Sequence, residues 1–177
     1  MSLYELLLFV HIAGVVVWIG TGIALILLSA RFERTRAHDG LGALFDQSGW
    51  LANAVFTPVS LLVLLAGIGL VFEGEWSFGD LWVVLGLVGF VLTFLTGVSV
   101  IRPRSIAIAK MRASEGMSER TVRRMRDLFV LARIDYAVLL VVIADMVLKP
   151  ASDDVAVLVA MAAVIGAVAV LSIRAVR

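Results

Sequence analysis

Cysteine is absent from this sequence, which excludes disulfides, thiol nucleophiles and thiolate metal ligands and leaves the redox compartment open. Histidine is nearly absent. Of the two present, His38 falls in a polar connection and only His11 lies inside an apolar run, so one copy of the chain cannot supply a bis-histidine site at membrane depth. Soluble-enzyme signatures are missing as well: no phosphate-binding loop, serine-nucleophile motif or zinc motif occurs. No extended low-complexity tract and no clear internal repeat relates the two halves. No positively charged segment precedes the first apolar run, which is longer than a signal-peptide core, so it is read as a retained helix.

What the chain does have is apolar length. Hydrophobic residues make up 62% of it against 16% charged, and they gather in blocks rather than in the scattered pattern of a soluble domain. A spanning helix needs roughly 20 mainly apolar residues. Five stretches qualify: about Leu3 to Ala30, Trp50 to Phe72, Leu81 to Ile101, Leu128 to Leu148 and Val155 to Ile173. They lack the alternation of barrel strands. The expected fold is an all-α membrane protein, a single integral membrane domain with a bundle of five transmembrane helices. The core is a four-helix unit over about 3–150, with an added C-terminal helix over about 155–173. An odd number of spans argues against simple duplication and weakens an alternating-access transporter, although a homodimer could still form a pathway.

A formal net charge of +1 hides an asymmetry. The first connection carries Arg31, Arg34 and Arg36, and the third carries eight basic residues from Arg102 to Arg126. The second has Glu73, Glu75 and Asp80 without a base, and the fourth sets Lys149 against Asp153 and Asp154. The positive-inside rule then puts the N-terminus outside and the C-terminal Arg174 and Arg177 in the cytoplasm. Anionic lipid headgroups are the expected partner of the long basic connection, at about 1 kcal/mol per basic side chain. Nucleic acid is not expected, because topology already accounts for these bases.

Several positions carry local expectations. Trp50, Trp76 and Trp82 lie near span ends and read as interfacial anchors. Ser118 is a candidate N-cap, with Val122, Met125 and Phe129 on one face of the helix it starts. The segment after Asp39, with Leu41, Leu44 and Phe45, reads as a short surface helix. At Pro103 the third helix either ends or bends and continues. Pro58 interrupts the second span, where Asn53, Thr57 and Ser60 can satisfy a freed carbonyl. Small residues suit close helix approach in lipid. They recur at Gly89, Thr93 and Gly97, and again at Ala156, Ala160, Ala163 and Ala167.

Polar side chains within the spans are the functional candidates. At about 100° per residue, His11, Trp18, Gly22 and Ser29 form one stripe with Leu7 and Gly14 beside it, a bundle-facing surface. His11 falls roughly 12 Å below the outer boundary, at about 1.5 Å of rise per residue. Asp145 is at a comparable depth and could orient the imidazole, but Lys149 follows four residues later in the order that favours a helical ion pair. Arg133 can snorkel, and Asp135 is expected to meet Arg102 or Arg104. Haem enters as an alternative, with His11 as axial ligand and Met146, Met161 or a second copy's His11 opposite.

The run Phe9-Val10-His11-Ile12-Ala13-Gly14 followed by Trp18-Ile19-Gly20 resembles the first helix of a large group of bacterial predicted integral membrane proteins of unknown function. The stretch from Pro58 through Leu61-Leu62-Val63-Leu64-Leu65-Ala66-Gly67 and on to Trp82 looks like the group's second and third helices. Arg133-Ile134-Asp135 with Met146 to Pro150 looks like its closing one. The resemblance covers about residues 3–150. It implies a bacterial inner-membrane location. Similar spacing occurs in CopD-like copper-resistance proteins and HemJ-like protoporphyrinogen oxidases. The HemJ-like members imply haem on His11 and porphyrinogen oxidation, but they use a transmembrane lysine that this chain lacks. The CopD-like members imply copper handling, for which one intramembrane histidine and scattered methionines are a poor path. The leading expectation is a multi-pass, non-enzymatic membrane component, alone, as a homo-oligomer or within a membrane complex. A haem-binding redox protein or oxidase on His11 is the alternative, and a small-solute or ion transporter the third.

Overall fold

The computed structural model describes residues 2–174, and among them there is helix and connection but no strand. The first helix, α1 (Leu3–Thr35), opens on a capping box. The Ser2 hydroxyl accepts from the Glu5 N–H at 3.2 Å, and the Glu5 carboxylate accepts from the Ser2 N–H at 2.8 Å. It closes on Arg36 in a left-handed conformation. Next come α2 (His38–Leu51) and α3 (Thr57–Glu73), then α4 (Leu81–Thr96) and α5 (Arg102–Glu115), then α6 (Glu119–Leu148) and α7 (Val155–Arg174). Four continuous helices are long and apolar enough to cross a membrane: Leu3–Thr35, His38–Glu73, Leu81–Glu115 and Val155–Arg174. The fifth, α6, is 30 residues long but carries Arg133, Asp135 and Asp145 within its apolar part. It is also the helix with most protein around it, touching α1, α4, α5 and α7. Charged residues in a membrane bundle face its interior, which is where the fold puts this helix.

Two of the long helices are each a pair joined by a widened turn. Between α2 and α3, at Ala52–Phe56, and between α4 and α5, at Gly97–Ile101, the backbone forms π-turns. In these the Thr57 N–H reaches the Ala52 carbonyl and the Arg102 N–H reaches the Gly97 carbonyl, five residues back. The cause is the proline that follows each turn. Pro58 and Pro103 have no N–H to give to Ala54 and Ser99, and their rings crowd those carbonyls, so the preceding turn opens by one residue. The Thr57 hydroxyl adds a bond to the Ala52 carbonyl at 2.8 Å, and Asn53 one to the Gly49 carbonyl at 3.3 Å. The third helix therefore continues through Pro103 as far as Glu115.

The segment after Asp39 is not a separate surface helix. Leu41, 1% exposed, joins Leu44 and Phe45 of α2, Ile108 of α5, and Val122, Met125, Leu128 and Phe129 of α6 in one apolar cluster at the basic end. The expected shared face of Val122, Met125 and Phe129 is what α6 presents to it. Ser118 caps α6 as expected, its hydroxyl accepting from the Thr121 N–H at 3.2 Å. Arg112 fastens α5 to α2 by donating to the Gly42 carbonyl at 3.1 Å and to the Asp46 carboxylate. Glu33 ties α1 to α6, with Arg133 at 3.5 Å and Arg126 at 3.8 Å.

Three expectations need correction. Asp135 pairs with neither Arg102 nor Arg104, because α5 carries both as exposed residues. Ala156, Ala160, Ala163 and Ala167 all keep exposed surface, although Ala156 and Ala160 line the groove that α7 forms with α6. On α4, Gly89 and Thr93 are buried but Gly97, inside the π-turn, faces open space; Gly86 does the work expected of it. The stripe on α1 is as expected, with Gly14, Trp18, Gly22 and Ser29 buried. Arg177, assigned to the cytoplasm, lies outside the described residues.

Candidate functional site

At the acidic end, opposite the apolar cluster, α1, α3, α4 and α6 do not close on each other. They leave between them a partly open cavity of 590 Å³ with almost wholly apolar walls. Its origin is in the small residues. Gly14 brings α1 against Val63 of α3, where a Cβ would fall 2.6 Å from a valine methyl. Gly86 leaves room for the Met146 side chain, and Gly89 for Val142. These close approaches lie in the cavity's walls, where Gly86 and Val63 are lining residues.

His11 projects into this space. Its Nδ1 lies 2.9 Å from the Val63 carbonyl oxygen. A carbonyl only accepts, so Nδ1 carries the proton and donates, and in the neutral ring Nε2 keeps its lone pair. Gly67, one turn further along α3, makes room for the ring: a Cβ there would be 3.1 Å from the imidazole Cε1. The imidazole is thus held by one nitrogen with the other free to accept a hydrogen bond or bind a metal. At the inner end Trp18 meets Phe90 edge-on, with centroids 6.0 Å apart.

The rim is aromatic and bears one cation. Trp76 packs edge-on against Trp82 at 5.0 Å and against Tyr4 at 6.2 Å. The Lys149 ammonium sits 3.9 Å from the Trp76 ring centre and 4.9 Å from that of Trp82. The expected Asp145–Lys149 ion pair does not form. Lys149 caps α6 in a left-handed conformation, φ 46°, which turns its side chain off the helix face where residues four apart meet. Only its backbone reaches back, donating to the Asp145 carbonyl at 2.8 Å.

Asp145 does not meet His11 either. It is 1% exposed, both carboxylate oxygens lack a hydrogen-bond partner, and the group lies behind the cavity wall beside Gly86. Of the two methionines considered opposite His11, Met146 lines the same cavity, whereas Met161 lies in a groove between α6 and α7. No group of three or more metal-ligating side chains occurs among the described residues. The Trp76, Trp82 and Lys149 rim was not legible from sequence as a site, because each residue alone has an ordinary role at a helix end. The Val63–Gly67 contact left no sequence signal.

Residues 5–150 match a protein family described as "Predicted integral membrane protein (DUF2269)". The matched stretch includes all of the cavity's lining residues except Tyr4 and stops short of α7. No curated protein and no solved structure matches the chain.

Proposed function

This chain belongs to that DUF2269 family of integral membrane proteins, and from that premise we propose that it is a non-enzymatic, multi-pass component of a bacterial inner membrane whose cavity holds a small, largely apolar ligand. The observation that carries the reading is His11, tethered through Nδ1 with Nε2 free, inside a cavity of 590 Å³. Small-molecule sites are mostly apolar clefts of about 300–1,000 Å³ with a few fixed polar groups. In this reading α6 is a fifth span and the Arg-rich connections are cytoplasmic, which puts the cavity in the outer half of the bilayer. Native mass spectrometry of the protein released from detergent tests the ligand. A bound small molecule that is lost in the cavity-filling variant Val15→Phe supports the reading, and an empty wild-type protein overturns it. Cysteine reporters at Ser77 and Ser114 test the orientation. Labelling of the first from outside and the second only from inside is expected, and the reverse overturns it.

Haem is the second reading, favoured by one observation: His11 and Met146 line the same cavity. A metal-binding histidine commonly donates its other ring nitrogen to a carbonyl, as His11 does to Val63. His11 Nε2 and the Met146 sulfur would hold the group, which would supply one-electron chemistry. A Soret band in purified wild type that vanishes in His11→Ala is the expected signature, and a featureless spectrum removes this reading.

A further inference from the structure

We propose that the cavity's occupant is a single-chain amphiphile with an anionic headgroup, a carboxylate or a phosphate, its head at Lys149 and its tail running inward towards Trp18. The proposal rests on the reading of the cavity as a ligand site and names the ligand's class. Three observations carry it.

The first is charge. Lys149 is the one cation among the cavity's lining residues, and among the described residues no carboxylate lies within ion-pair distance of it. Two acids of the flanking connections accept backbone hydrogen bonds, Asp80 from the Ser77 N–H at 3.1 Å and Asp154 from the Ala151 N–H at 2.9 Å. Asp145 is turned against Gly86. The ammonium is presented at the mouth by two indole faces, with hydrogen-bond donors left for an anion.

The second is length. The wall contributed by α1 runs from Tyr4 to Trp18, which is about 21 Å of helix. That spans an extended chain of C14 to C16 size.

The third is volume. At 590 Å³ the cavity falls within the usual range of small-molecule sites, about 300–1,000 Å³.

The test uses the full chain in phosphatidylcholine nanodiscs, titrated with a dibrominated C16 carboxylate, the corresponding alkyl phosphate and the uncharged alcohol. The readout is quenching of tryptophan fluorescence. Both anions, or one of them, should quench saturably at concentrations about tenfold or more below the alcohol, the worth of one charge-assisted hydrogen bond. Which anion is tighter identifies the headgroup. Lys149→Met should reduce the anions to the level of the alcohol, Lys149→Arg should keep the preference, and Val15→Phe should abolish all three. Equal, saturable binding of anions and alcohol, or a preference that survives Lys149→Met, overturns the anionic headgroup and leaves the cavity reading standing. Absence of any saturable quenching sensitive to Val15→Phe overturns both.

Discussion

Gly22 lets α1 pack against Tyr136 of α6, and replacing it isolates that contact. A Cβ on Gly22 would overlap the Tyr136 ring and hydroxyl, so Gly22→Ala must displace the ring or push the helices apart. Overpacking of this kind costs about 1–3 kcal/mol. Against it stands the gain of replacing glycine by alanine in a helix, up to about 1 kcal/mol. Gly20 supplies the control, because it lies two residues away with nothing within 4 Å of its added methyl. Gly20→Ala should be neutral or slightly stabilising, and Gly22→Ala should shift the unfolding constant by a factor on the order of 10 the other way. Unfolding from mixed micelles with increasing dodecyl sulfate, followed by circular dichroism, gives both values. A double-mutant cycle with Tyr136→Ala completes the argument. Removing the ring removes the clash, so the penalty of Gly22→Ala should disappear in that background although Tyr136→Ala is itself destabilising. Equal effects of the two glycine substitutions, or the same Gly22 penalty with and without Tyr136, would refute the packing described here.

Other substitutions probe the remaining contacts. Met125→Ala empties a fully buried position in the basic-end cluster and should cost about 2–5 kcal/mol, with faster proteolysis within α2 and α5 than in wild type. Glu33→Gln leaves Arg133 and Arg126 without their acid, and because the group is partly exposed the loss should be about 1–2 kcal/mol in the same unfolding assay. His11→Phe removes the tether to α3 for about 0.5–1.5 kcal/mol, so a well-folded variant that has lost its ligand would separate binding from stability.

The sequence carried the architecture because lipid imposes few solutions. Long apolar runs had to be helices, and the stripe through Gly14, Trp18, Gly22 and Ser29 followed from helical periodicity. It could not say how helices continue beyond the apolar run. Pro58 and Pro103 read as possible breaks, yet a π-turn absorbs each proline and lets two helices extend to a shared cluster. Side-chain pairing was less legible still. Asp145 and Lys149 have the spacing of an ion pair, and only the left-handed cap at Lys149 separates them. Glu33, at the edge of the first span, gave no sign that Arg133 would reach it from 100 residues away. The His11–Val63 bond is similarly non-local, joining residues 52 apart through a backbone carbonyl that no sequence pattern marks.

The walls of the cavity cannot by themselves choose a ligand in a bilayer. In water, burying an apolar chain is favourable by roughly 25 cal/mol per Å². A ligand arriving from lipid instead exchanges one hydrocarbon surrounding for another, and any lipid tail competes on equal terms. Selectivity must therefore come from shape and from the few polar groups that a bulk lipid cannot satisfy at the same time. Here these are the Lys149 ammonium at the rim and the free His11 nitrogen deeper in. Substitutions at Val15 or Leu8 should accordingly change which chain length binds, whereas substitutions at Lys149 should change which headgroup does. His11 was conspicuous because it was the only histidine in an apolar run. With Nδ1 committed to α3, it can discriminate between occupants only through Nε2.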